Sequence, residues 1–149
     1  MTRSSLDRGS VDALQDALAT EHAALWAYSL VVAYLPAAQR EQARNDEVAH
    51  RALRGSVERL VAAAGARAVS ALPAYAPPQP VVDAASAAAL AVVAEGDSLA
   101  AWKSVLEHTS DRELRRTALD VLSDGTLRCA RWRAVVGTRP AIPPFPGRR

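Results

Sequence analysis

The chain has 149 residues, half of them apolar and only 5% aromatic, with a formal charge of +2. That length suits one domain that buries its core without staples, and so small a charge, with no basic tract, excludes a dedicated nucleic-acid-binding surface. The single cysteine, Cys129, excludes an internal disulfide and suits a reducing compartment, and no uninterrupted apolar run reaches the roughly 20 residues of a membrane span. The expectation is a cytoplasmic protein with no nucleic-acid or membrane partner. Abundant alanine and scarce glycine favour closely packed helices, hence an all-α fold.

Residues 1–9 read as a flexible N-terminus. A first helix starts at an N-cap Ser10, with Asp12 in its first turn, and stops before Pro36. A second fits Ala37 to Ala64, closed by Gly65. The segment "ARAVSALPAYAPPQPVV" follows, and its four prolines forbid a helix, so it reads as an extended crossover as long as a bundle is high. Asp83 caps a third helix, Ala84 to His108. Ser110-Asp-Arg-Glu113 has capping-box spacing and opens a fourth, which runs to Val136 before Gly137. Residues 138–149, "TRPAIPPFPGRR", form a Pro-rich extended tail. Two hairpins joined by a long connection make residues 10–137 a crossover four-helix bundle.

The first helix has an apolar seam at Leu14, Leu18, Leu25, Tyr28, Val32 and Leu35, and the member between Leu18 and Leu25 is Glu21. The third repeats the anomaly, with Glu95 between Val92 and Leu99. A shift of 74 residues superposes Glu21 on Glu95, Tyr28 on Trp102, His50 on Asp124 and Arg54 on Arg128, which reads as an internal duplication. On the second helix His50 lies on the apolar side with Glu47 one turn before it, although the strict seam backward from His50 passes through Asp46. On the fourth, Leu114, Ala118, Val121, Asp124 and Leu127 share one side, with Asp124 the polar exception. Each helix thus turns an ionisable group inward, and an unpaired buried charge costs several kcal/mol, so each needs a partner or a cation.

Glu21 seven residues before Tyr28, the Glu47-Val-Ala-His50 motif and Glu95 resemble the ferritin-like superfamily. Within it, the stretches "TEHAALWAY", "HRALR", "PAYAPPQPVVDAASA" and "CARWR" are similar to a ferritin-like domain family whose function is not known, from about Leu14 to Arg133. The resemblance implies a di-iron or di-manganese centre held by one glutamate from each of two helices and a Glu-x-x-His from each of the other two. The second Glu-x-x-His is missing here: Val121 stands opposite Glu47 and Asp124 opposite His50. What remains is the set Glu21, Glu47, His50, Glu95 and Asp124.

Two readings stay open. In the first, Arg54 and Arg128 turn inward onto Glu21 and Glu95 and close a degenerate metal site by charge pairing, with Tyr28 and Trp102 as core aromatics whose polar tips face the cluster. In the second, the five residues bind iron or manganese, with redox activity linked to oxygen or peroxide. Thin, alanine-rich helices such as "DAASAAALAVVA" leave flat apolar surface, so the expected assembly is a homodimer.

Overall fold

The computed structural model describes residues 6–148. Among them are four helices and no strand: α1 (Arg8–Tyr34), α2 (Ala37–Ala63), α3 (Ala84–His108) and α4 (Arg112–Val135). Of the nine residues expected to be flexible, 1–5 lie outside the described residues, while Arg8 and Gly9 already belong to α1.

The N-caps of α1 and α4 correct the sequence expectation. Asp7, not Ser10, caps α1, its carboxylate accepting from the Ser10 amide at 2.7 Å. Ser10 is instead buried and donates its hydroxyl to Thr109 Oγ1 at 2.8 Å, tying the start of α1 to the end of α3. Asp111, not Ser110, caps α4 through the Leu114 amide at 2.8 Å. Each choice places the carboxylate three residues before the amide it serves. Asp83 caps α3 as expected and forms a reciprocal box with Ser86. The helix ends follow the glycines. Gly65 (φ 80°) and Gly137 (φ 75°) sit in the left-handed region. Paired amide bonds, Gly65 to Ala62 with Ala66 to Val61, and Gly137 to Ala134 with Thr138 to Arg133, satisfy the last carbonyls of α2 and α4.

α1 packs on both α2 and α3, and α4 packs on α3. Only Leu35 and Pro36 separate α1 from α2, so these two run antiparallel. The Ser10–Thr109 and Tyr28–Glu95 bonds make α1 and α3 antiparallel as well. α2 and α3 are therefore parallel, and residues 66–82, which hold no helix, join them. This segment lies along α1: Gln15 bonds the Arg67 carbonyl and the Val69 amide, His22 lies 3.1 Å from the Val69 carbonyl, and Tyr75 packs on Trp26 with ring centroids 5.6 Å apart.

The buried residues form two apolar layers. One joins Leu14, Leu18, Val57, Val61, Trp102 and Leu114, and the other Tyr28, Val31, Leu35, Ala43, Ala91 and Trp132. Glu21, His50 and Glu95 are buried yet belong to neither layer. α3 is long and apolar enough to cross a membrane by composition, with mean hydropathy 1.3 over its best window, and here it lies between α1 and α4.

A buried ion cluster as the candidate functional site

At the level of Glu21 the helices contribute side chains to one network. His50 of α2 is fully buried between two carboxylates: its Nδ1 donates to Glu21 Oε2 at 2.6 Å and its Nε2 to Glu95 Oε1 at 2.9 Å. Donation from both nitrogens requires the imidazolium form. Burial alone would lower the His50 pKa, but the hydrogen bonds and charges of Glu21 and Glu95 outweigh it and push the value up to about 9.

The remaining lone pairs of both carboxylates are also used. Glu21 Oε1 accepts from Ser98 Oγ and from Trp102 Nε1, each at 2.9 Å. Glu95 Oε1 accepts from the Tyr28 hydroxyl at 2.6 Å, and Arg128 Nε lies 3.2 and 3.3 Å from the two Glu95 oxygens. Burial raises the Glu95 pKa, yet His50, Arg128 and Tyr28 together hold it below the ordinary glutamate value. Tyr28 is held well above the ordinary phenol value by burial first and by the neighbouring Glu95 charge second, so its hydroxyl stays a donor. Two carboxylates, one imidazolium and one guanidinium leave the cluster electrically balanced.

The duplication read from the sequence reappears here as an exchange. Tyr28 and Trp102 superpose under the 74-residue shift, and each reaches the glutamate of the other half: Tyr28 donates to Glu95 and Trp102 to Glu21. The arginines do not follow this symmetry. Arg128 is buried on Glu95, whereas Arg54 is partly exposed and lies 4.0 Å from Glu58 on its own helix, so it does not reach Glu21. His50 takes the place expected for Arg54.

Of the five candidate ligands, the fold brings together Glu21, His50 and Glu95. Glu47 lies outside, paired with Arg51 at 2.7 Å across one helical turn. Asp124 is exposed to solvent. Both depart for the same reason: a straight helix repeats at 3.6 residues, and a seam extrapolated in threes from His50 or Val121 rotates off the core. The buried acid near His50 is Asp46, one i−4 step back. Its Oδ2 accepts from Trp132 Nε1 at 2.9 Å, and its Oδ1 from Gln42 at 2.8 Å and Arg131 at 3.3 Å. Burial raises the Asp46 pKa, and the Trp132 and Gln42 bonds oppose that rise. Ser98 and Trp132 were not singled out by sequence, although Ser98 lies one turn after Glu95 and Trp132 one turn after Arg128.

This arrangement does not fit a divalent ion. A metal ligand must aim a lone pair at the ion, and both His50 nitrogens face carboxylates as N–H donors. The Arg128 charge beside Glu95 repels a second cation. Among the described residues no group of three or more His, Cys, Asp or Glu side chains is disposed to hold a metal.

Comparison with known proteins adds the family. The chain is similar to a conserved hypothetical protein, Rv2844, from Mycobacterium tuberculosis, whose crystal structure it matches at 34% identity with a TM-score of 0.83. The match covers 87% of this chain and 98% of that one. No curated protein matches the chain. The model of a domain of unknown function, DUF4439, matches residues 13–149, and the chain belongs to that family.

Proposed function

We propose that the chain is a non-catalytic helical module on a ferritin-like frame, in which internal charge pairing stands where a di-metal site would be. The observation that carries this reading is His50, the one imidazole of the expected ligand set, engaged on both faces by Glu21 and Glu95. The cluster then acts as a register device. Each partner comes from a different turn of α1, α2, α3 or α4, so sliding one helix leaves a buried charge unpaired. Redox activity has no support in this donor set, and the fold would serve instead as a rigid surface for a protein partner.

The test is the thermal stability of the wild type and of Glu21→Gln, each with chelator and with added Mn(II) or Fe(II). The substitution keeps the shape, removes one charge and leaves the imidazolium with one carboxylate. A loss of about 3 kcal/mol is expected, the same with and without metal. A wild type that gains many degrees with metal, beside a variant that gains none, would overturn the reading in favour of an iron or manganese protein.

A further inference from the structure

A second feature lies on the side of α1 and α3 that faces away from the ion cluster. Ala19, Ala23 and Trp26 stand about half a turn round α1 from Glu21, and Leu90 and Val93 about half a turn round α3 from Glu95. These two helices are therefore apolar on both sides. One side packs on α2 and α4, while over the other runs the extended segment that joins α2 to α3. This double apolar character is why α3 has the hydropathy of a membrane span although Val93 is 39% exposed.

One extended segment is too thin to cover two helices. Between α1, α3 and residues 72–78 it leaves a cavity of about 430 Å³, partly open to solvent and within the size range of ligand sites. Alanines 19, 23, 24 and 27 make its α1 side flat, and Leu90 and Val93 form its α3 side. Trp26 and Tyr75 make an aromatic wall, their ring centroids 5.6 Å apart and their planes tilted by 33°. The wall is held in place. The Tyr75 hydroxyl accepts from the Leu72 amide at 2.9 Å, and Pro77 and Pro78 fix the backbone beside it. Gln15 ties the start of the segment to α1, and the Asp83–Ser86 box fixes its end. The cavity is thus preformed, which spares a ligand the cost of ordering its own site.

We infer that this cavity binds one small, uncharged, planar aromatic molecule per chain. Its lining is smaller than the roughly 20–30 residues a side that a stable protein interface takes, so its size suits a small molecule. Among the described lining residues Asp97 alone is charged, and it is already engaged with a partner. The cavity therefore offers no charge to select an ion, and an ionic ligand would lose hydration without compensation. A flat alanine floor beside an aromatic wall favours a planar ring system, which stacks on the wall, over a globular molecule of equal size. The inference is independent of how the ion cluster is read, because Glu21 and Glu95 lie on the far side of both helices.

The experiment is a fluorescence titration of the wild type, Ala23→Phe, Ala19→Phe and Leu127→Ser with the neutral dye N-phenylnaphthylamine. Bound dye is then displaced with naphthol and with adamantanol, a globular alcohol with the same number of heavy atoms. Ala23 is half-buried and Ala19 is exposed, so at least the second phenylalanine leaves the core untouched. Leu127 is an exposed leucine of α4, away from the cavity, and its variant reports dye held by surface leucines. The wild type should bind one dye per chain with a micromolar Kd, and Leu127→Ser should match it. Each phenylalanine fills part of the cavity and should weaken binding at least about tenfold. Naphthol should displace the dye at a several-fold lower concentration than adamantanol. No saturable binding by the wild type, dye bound alike by all four proteins, or adamantanol as effective as naphthol would each overturn the inference. So would a wild-type dimer that Ala19→Phe dissociates in sedimentation equilibrium, which would give the cavity to a second copy.

Discussion

His50 ties the stability of the fold to pH. Its pKa is raised from 6.5 to about 9, so the folded state holds its proton more tightly than the unfolded state does. The stabilisation is complete below pH 6.5, declines as the pH rises, and is gone once the pH passes about 9. A shift of this size in a buried group is worth on the order of 3 kcal/mol. Glu95 acts in the opposite sense: its lowered pKa gives stability present above the ordinary value of 4.5 and lost as the pH falls below it. Denaturant unfolding should therefore show greatest stability between those limits, and His50→Gln should flatten the alkaline limb. An alkaline limb equally steep in the variant would show that another group governs it. At this scale the sequence was informative about Glu21 and Glu95, because a carboxylate in an apolar seam stands out. It misled about the partner of Glu21. Arg54 and His50 are one helical turn apart, and which of them reaches the carboxylate depends on the rotation of α2 about its axis, which periodicity fixes only to within about a residue.

The helix boundaries turn on single side chains. Asp111 caps α4 while the exposed Ser110 makes no bond to that helix, so Asp111→Ala should cost about 1 kcal/mol and Ser110→Ala close to nothing. Equal losses in urea unfolding would restore the cap expected from the spacing of Ser110 and Glu113. The ends of the helices were legible to a residue because Gly65, Gly137 and Pro36 act locally, through φ and through missing amides. The starts were less so, since Asp7 and Ser10, or Ser110 and Asp111, are all competent caps. The facing of α4 was the least legible. Leu127 is exposed and Gly125, Arg128 and Cys129 are buried, an arrangement in which a glycine and an arginine stand where a pattern search looks for leucine. The space at Gly125 is tight: a Cβ would meet a Leu99 methyl at 3.1 Å and Arg128 Nη2 at 3.4 Å, so a larger residue there needs Leu99 to shift by a few tenths of an ångström.

Across the whole molecule, the start of the segment between α2 and α3 is tied to α1 by the exposed side chain of Gln15. Gln15 donates to the Arg67 carbonyl at 2.7 Å and accepts from the Val69 amide at 2.9 Å, bracketing the peptide bond after Arg67. Gln15→Ala should therefore speed tryptic cleavage after Arg67 several-fold with little change in melting temperature, because the bonds it removes are solvent-exposed. Unchanged cleavage would mean that the His22–Val69 contact, the packing of Ala66 and Ala68 and the Tyr75–Trp26 contact secure the segment without Gln15. The ion cluster has a different consequence, one for how such a core changes by mutation. Glu21, His50, Glu95 and Arg128 neutralise one another inside the bundle. Replacing any one of them by an apolar residue strands a charge, whereas replacing the whole set by well-packed apolar residues need cost nothing only if the donors Tyr28, Ser98 and Trp102, which bond the two glutamates, change with it. A route of single substitutions from this core to an oily one descends through less stable sequences before it climbs again. The four residues and the three donors that bond them are therefore exchangeable only together, and a lineage that tolerates little loss of stability keeps them.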